Sequence, residues 1–551
     1  MKWLAIENGW AGASDSLDLT AKNSAESPHS TGWLLAGVSI GMAAASLLAG
    51  WIMPIDNDDT FFLHPWWLYA HGYIPHRDFF DYGFPGLWLL LAPAAWLPWT
   101  PSSFVAFGRA LVAGTFGLSF YLVGRLVRAY RWEALLLGTL GFIAMVWGEV
   151  FVFRRAYFEL SFLMLHCWLL ERLWQSKRVG WMSFGAGWAV GMICTISQRG
   201  FYYLPIQPIF LLWILWDDRR ALAKALGGWV LGLVVAALPT AGYLTWHGLW
   251  AEEWNWSVVF LSTLPDLQVR PLEVLKNSWG LVGAVACAVV WTNRSLPRES
   301  KKLLTTAWLG GVVALMMNKF PIHYTYVFLH LISMGLIVLA VRTVLDRLPL
   351  GRIGQRVLVG GILLGAMLLA WQRTLGHIMP YETLAPQRQV RLAQQQVLDW
   401  LHQIAQDQPV LAIDPYHPIL TPNATFLRGS WQYMKWVEYP FFQEKLLGLA
   451  DQVLTSPPPV ITASPWPKNT QHKDLIAWLA DHQILTPTQT EKLRHMLSQQ
   501  YLSVRFPEIA SARFPSGTFC YGDTFWIRRD RFQACPPPEI EYIVQEITTG
   551  N

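Results

Sequence analysis

Charge is what this sequence has least of. Only 14% of its 551 residues are Asp, Glu, Lys or Arg, while 53% are hydrophobic, and the mean hydropathy is +0.28. That balance excludes a chain dissolved in water along its whole length. A net charge of only +5, dispersed over many loops, excludes the basic face that nucleic-acid binding requires. Cysteine is scarce as well: of five, Cys167, Cys194 and Cys287 fall in apolar runs and read as small core residues rather than ligands. There is no internal repeat, which weakens a secondary-transporter reading. The first apolar run, Trp33 to Met53, is too long for a signal-peptide core and ends in Pro54-Ile55-Asp56 without a small-residue cleavage site, so it reads as an uncleaved first span.

What the chain does have is apolar length and aromatic rings. Thirty-two Trp and eighteen Tyr suit the two membrane–water interfaces. Further runs of spanning length recur at 104–127, 133–149, 157–174, 181–197, 201–216, 225–246, 272–291, 303–318, 322–341 and 356–375, about eleven spans in all. Phe84 to Leu97 is too short to cross and carries Pro85, Pro93 and Pro98, so an interfacial or re-entrant helix is expected there. Lys and Arg collect in the turns holding Arg125/Arg128/Arg131, Arg172/Lys177/Arg178, Arg219/Arg220/Lys224, Arg294/Arg298/Lys301/Lys302 and Arg342/Arg347/Arg352/Arg356. The positive-inside rule assigns those turns to the cytoplasm, and with them the N-terminus. The loop 54–103, the loop 247–271 and the C-terminal region then lie outside.

The expected fold is therefore mostly α: a polytopic transmembrane helical bundle, residues 32–380, followed by a small soluble α/β or α+β domain, 381–551, on the extracytoplasmic side. Residues 1–31 read as a disordered cytoplasmic tail. In the soluble part, Gln387–Gln406 reads as an amphipathic helix, Val410–Ile413 and Val460–Thr462 as strands, and Thr488-Gln489-Thr490-Glu491 as a capping box. Phe519–Tyr521 and Thr524–Arg528 read as a strand pair turned at Gly522-Asp523. Cys520 and Cys535, in an oxidising compartment, are expected to form a disulfide.

The chemistry concentrates in the first outer loop. Between Pro54 and Gly86 stand five acids, three histidines and Arg77, in a chain that is otherwise sparsely charged. Carboxylates at the edge of a span are placed to deprotonate an acceptor while a lipid-linked donor lies in the membrane below. The order of residues is informative: Asp58-Asp59-Thr60 after the first span, then Gly72-Tyr73-Ile74-Pro75-His76-Arg77-Asp78-Phe79, then Pro85-Gly86-Leu87-Trp88. These motifs resemble the signature of the GT-C superfamily of polytopic glycosyltransferases, which includes the protein mannosyltransferases and aminoarabinose transferases. The resemblance covers residues 33 to 175 well. Two departures stand out: Asp59 where the family commonly has Glu, and Gly83-Phe84-Pro85 where the aminoarabinose transferases have Glu-Lys-Pro. The second argues against aminoarabinose as the sugar.

The resemblance implies inverting transfer from a polyprenyl-phosphate sugar to a lipid, glycan or protein acceptor on the outer face of a membrane, in all expectation a bacterial plasma membrane. Asp58 would be the general base, with Asp59 its partner or a helix cap and Glu159 a second acid. Arg77, beside Asp78, and Arg109 would hold the phosphate, since guanidinium grips phosphate bidentately. Asp58 and Arg109 should then face one cavity, with Glu159 lining it or its rim. Gln198 and Arg199 in one outer turn, and Lys319, His323 and Tyr324 in another, are further candidates to line it, although such residues also serve as interfacial anchors. No cofactor is required in this reading and a divalent metal is not expected; the seven-residue spacing of His64 and His71 does not make a metal site. Two alternatives remain, a flippase of lipid-linked intermediates and a non-catalytic assembly subunit whose outer domain binds a partner.

Overall fold

The structure is a computed structural model that describes residues 28–547, except 82, 130, 174–178, 261, 263–270, 318–322, 378–380, 407, 413–419, 423–447, 463–475, 477–479, 481–484 and 510–522. Residues 28–31, expected to belong to the tail, are helical; the rest of the expected tail lies outside the described residues.

Helical stretches stand where each of the eleven spans is expected: Pro28–Ile52, Pro101–Leu126, Trp132–Trp147, Arg155–Leu173, Val179–Ile196, Gly200–Leu215, Arg219–His247, Gly280–Trp291, Arg298–Met316, Val327–Leu345 and Arg352–His377. Six of these are long and apolar enough to cross a membrane on length and composition alone. Arg155–Leu173 and Arg298–Met316 carry charge at their ends. Two stretches are interrupted. Pro205, lacking an N–H, separates Gly200–Tyr203 from Ile206–Leu215. Trp279, in left-handed backbone at φ 59°, separates Pro271–Asn277 from Gly280–Trp291. Gly86–Ala95 has ten residues, a rise of about 15 Å, half the hydrocarbon thickness, in keeping with a helix that does not cross.

Small residues set how closely the helices approach. A Cβ on Gly187 would lie 2.3 Å from the Trp229 carbonyl oxygen, and one on Gly232 2.1 Å from that of Phe184. Val179–Ile196 and Arg219–His247 therefore pack backbone to backbone, as small-residue seams allow inside a bilayer.

The basic turns gather at one end of the bundle. Arg128 Nη2 reaches Glu171 Oε1 at 3.3 Å, Ser300 Oγ donates to the same oxygen at 3.4 Å, Asn293 Nδ2 donates to Thr343 at 2.8 Å, and Arg347 donates to the Thr292 carbonyl. The other end carries the loop from Pro54 onward and the C-terminal domain. Helix Tyr381–Ala405 docks there: the Ile55 N–H donates to Gln394 Oε1 at 2.7 Å, and the Ser102 N–H and Oγ donate to Asp399 at 3.0 and 2.7 Å.

Among the described residues five strands make a mixed sheet in the order β1-β2-β4-β3-β5: β1 (Leu411–Ala412), β2 (Val460–Thr462), β3 (Tyr501–Arg505), β4 (Thr524–Arg528) and β5 (Ile543–Glu546). Only β1 and β2 run parallel. Val460, Val504, Phe525 and Ile527 share a core with Val397, Trp400 and Leu401 of the docking helix. Ile461 and Tyr501 pack with Ala450, Val453, Leu493 and Leu497 on the other side. The domain is thus a sheet between two helical layers, the α+β form of the expectation.

One sequence expectation is corrected here. The capping box is Thr486 with Gln489, opening Pro487–Gln500, two residues before the expected one. Pro487 at the first helical position decides between the overlapping patterns, since its fixed φ suits that position and its missing N–H costs nothing there. Strand β4 pairs with β3 and β2; Phe519–Tyr521 lie outside the described residues. So does Cys520, the expected partner of Cys535, whose thiol is free and donates toward Gln403 Oε1 at 3.8 Å.

Candidate active site

The site begins with a helix start. Asp56 caps Asn57–Ala70: its carboxylate accepts the Asp58 N–H at 2.7 Å, while Asp59 at N3 accepts the Asp56 N–H at 2.8 Å. Adjacent residues on a helix point about 100° apart, so this cap turns Asp59 inward and leaves Asp58 at the surface.

Asp59 is wholly buried and held from three sides. Arg109 Nη2 lies 2.5 Å from Oδ2, its Nε lies 3.2 and 3.1 Å from the two oxygens, and the Phe153 N–H donates at 2.7 Å. Arg109 directs its remaining donors to the carbonyls of Gly50, Met53 and Pro54 at 2.6, 3.0 and 2.5 Å. All five N–H groups of the guanidinium are spent on protein. This corrects the reading of Arg109, which has no donor left for a phosphate; of the two roles open to Asp59, the geometry is that of the cap and a buried anchor.

Asp58 is different. Its side chain is 27% exposed, and Arg154, only 3% exposed beneath it, donates from Nε to Oδ2 at 2.6 Å. Arg154 also reaches Glu149 Oε2 at 2.9 Å and approaches Asp56 Oδ1 at 3.7 Å. Burial and the Asp58 charge push the Asp56 carboxyl up to about 7 against the pull of Arg154, with Glu149 and Asp59 adding to the rise. Burial disfavours the charge on Arg154, but Asp58, Glu149 and Asp56 outweigh that and hold it firmly protonated.

The next residue, Arg155, faces the far side of the loop. Its Nη2 lies 3.3 Å from Asp81 Oδ1 and its guanidinium covers Phe62 and Trp88 at 5.3 and 5.6 Å; Trp88 Nε1 in turn donates to Asp81 at 2.8 Å. A Cβ on Gly83 would fall 1.4 Å from Arg155 Nη1. The arginine occupies the space a side chain at 83 would need.

One helical turn on, Glu159 pairs with Arg199 at 2.8 Å, rather than with Arg154 or Arg155. Both line a pocket of about 420 Å³, open mouth included, whose walls include Leu160, Tyr203, Leu315, Thr325 and Phe328. Gln198 is half-buried in the same turn as Arg199. Lys319 and the side chains of His323 and Tyr324 lie outside the described residues, but Thr325 of their turn, His323–Tyr326, reaches the pocket.

The Gly72–Phe79 motif forms a tight turn with Gly72 at φ 81° and His76 at φ 66°. Asp78 closes it by accepting the Ile74 N–H at 2.6 Å. Buried His76 contacts Glu253 at 3.0 Å, and Arg77, 45% exposed, pairs with Glu252 at 3.6 Å rather than with Asp78 or Asp81. The motif thus clips the first outer loop to the segment after Arg219–His247.

No family model matches this chain, and no curated protein matches its sequence. Two crystal structures are similar in fold. The chain resembles ArnT from Cupriavidus metallidurans in the apo state with TM-score 0.43 and 14% identity, over 66% of this chain and 70% of that one. It resembles ArnT from the same organism bound to undecaprenyl phosphate with TM-score 0.49 and 13% identity, over 92% and 100%.

Several residues of the site escaped the sequence reading: Asp56, Glu149, Arg154, Arg155, Asp81, His76 and Glu253. A usable signal was there for Arg154-Arg155, a charged pair at the outer start of an apolar run, where intramembrane-edge charge is usually functional. His64 Nε2 lies 2.8 Å from the Thr421 carbonyl and His71 Nδ1 2.9 Å from that of Trp67. Among the described residues no three His, Cys, Asp or Glu side chains stand together as metal ligands do.

Proposed function

We propose that this chain is a membrane glycosyltransferase that moves a sugar, with inversion, from a polyprenyl phosphate to an acceptor at the outer face of the bilayer. The observation that carries the reading is Asp58: in the acidic cluster at the end of the first span, it is the carboxylate that combines solvent access with a fixed position, 27% exposed and held at 2.6 Å by Arg154. In the step proposed, Asp58 takes the proton from an acceptor hydroxyl or amine. The freed oxygen or nitrogen bonds to the anomeric carbon, and the carbon–oxygen bond to the phosphate breaks, its electron pair leaving on the polyprenyl phosphate.

Arg77 and Arg199 are the arginines assigned to the phosphate, being 45% and 25% exposed where Arg109 is sealed. Glu159 and Arg199 line a pocket whose other walls are mostly apolar side chains, which suits a charged headgroup on a lipid tail; Gln198, Lys319, His323 and Tyr324 are kept as further candidates to bind the donor, on the sequence alone. Asp78 serves by shaping the turn that presents Arg77. The outer face is assigned by the basic turns, which gather at the opposite end and are cytoplasmic by the positive-inside rule. No step requires a metal.

The test is transfer by membranes supplied with a panel of radiolabelled polyprenyl-phosphate sugars. The Asp58→Asn protein should lose transfer by on the order of 10²–10⁴-fold at unchanged expression. Full activity in that variant would overturn the assignment of the base; a wild-type protein that moves the lipid across the bilayer without releasing its sugar would favour the flippase reading instead.

A further inference from the structure

The arginine under Asp58 has more to do than neutralise it. Arg154 grips one oxygen of the base, Oδ2, through Nε at 2.6 Å. Among the described residues no protein group engages Oδ1, and the side chain is 27% exposed. One oxygen is clamped from below and the other is presented.

The clamp is itself clamped. Glu149 Oε2 accepts from Nη2 at 2.9 Å, with Asp56 Oδ1 3.7 Å away, while Nη1 donates to the Gly148 carbonyl and to Tyr157 Oη, each at 3.4 Å. Tyr157 Oη donates in turn to the Gly148 carbonyl. The guanidinium is therefore oriented as a plane by groups from the turn before Arg155–Leu173 and from that helix, and Asp58 accepts from its Nε edge. Arg154 faces Glu149 as well as Asp58, with Asp56 nearby, so its positive charge is shared and Asp58 does not have it alone.

Building on the reading of Asp58 as the base, we infer that Arg154 is its positioning residue: it locks Oδ2 so that Oδ1 receives the acceptor's proton, and Glu149 sets how much of its charge Asp58 feels. Arg154 touches neither substrate nor reacting atoms in this scheme.

Three substitutions test it. Arg154→Gln should lower kcat by about 10²-fold with KM for the lipid donor within about twofold, since a misplaced reactive group costs rate and not binding. Arg154→Lys, which keeps the charge and loses the planar grip, should recover only part of that. The decisive readout does not depend on turnover. Carbodiimide coupling modifies the protonated carboxyl, and its pH midpoint at Asp58 can be followed by mass spectrometry in the full-length protein. Loss of the Arg154 charge should move that midpoint up in pH, whereas Glu149→Gln, which frees more of that charge for Asp58, should move it down. A residue that merely supported the fold would shift neither. Midpoints unchanged in both variants would overturn the inference even if activity fell. Opposed shifts in a protein that transfers no sugar would sustain the clamp and reject the proposed reaction. Should Arg154→Gln fail to fold, Glu149→Gln alone decides, an unmoved midpoint counting against the clamp.

Discussion

At the scale of single residues, the two arginines nearest the acidic cluster do opposite work, and stability measurements should separate them from Arg77. Arg109 and Asp59 are 2% and 0% exposed, and breaking such a pair strands a buried charge at a cost of roughly 3–5 kcal/mol. Arg109→Ala should therefore appear as a large fall in melting temperature in detergent, with loss of folded protein. Arg77 pairs with Glu252 in the open, where such contacts contribute under about 1 kcal/mol. Arg77→Ala should leave melting almost untouched and raise KM for the lipid donor; unchanged KM would remove Arg77 from the phosphate site. Asp56 adds a pH dependence. Folded, its carboxyl sits at about 7 against an ordinary value of 3.8, so between those values the folded chain holds a proton the unfolded chain has released. Stability from this group is then full below about pH 4 and declines as pH rises toward 7, levelling above it. Asp56→Asn keeps a good N-cap and removes the titration. The melting temperature of that variant should fall less than the wild type's between pH 5 and 8; equal slopes would show that Asp56 is not the group responsible.

At the scale of elements, what could be read from sequence was whatever depends on local composition. Apolar length marked every span, and prolines at 85, 93 and 98 with a short run marked Gly86–Ala95. A cysteine at exposed Pro98 should react with an impermeant thiol reagent from outside; labelling only after the membrane is opened would reverse the topology of this segment. Ser102 is a poorer probe, because it is hydrogen-bonded to Asp399. What stayed hidden were partners that no periodicity encodes. Arg109 looked like a phosphate ligand because its position fits one, and nothing local reveals that three carbonyls and Asp59 surround it. Gly83 was visible only as a departure from a related motif, whereas its cause is the Arg155 guanidinium standing where a side chain would begin. Gly83→Ala should displace that guanidinium from Asp81 and Trp88 and lower both melting temperature and transfer; a neutral result would show that the loop yields easily. The strand Thr524–Arg528 was legible as a strand, yet its neighbours, β2 and β3, lie at separations that sequence pattern does not resolve.

At the scale of the whole molecule, the C-terminal domain and the acidic loop are joined to each other. Ile55 is tied to Gln394 in both directions, through its N–H at 2.7 Å and its carbonyl at 3.4 Å, and His64 meets Thr421. These contacts bridge 339 residues or more of chain. The arrangement sets a timetable for biogenesis. The loop that bears Asp58 leaves the ribosome among the first segments, and Gln394 follows only after every span has been made. At roughly 5–20 residues per second the wait is about 17–70 s. For that interval the acidic loop lacks these partners, so a chain interrupted before residue 394 would have its early helices made and its acidic loop unbraced. A chain assembled in this order completes the bracing of its acidic loop last, when synthesis of the membrane domain is already over.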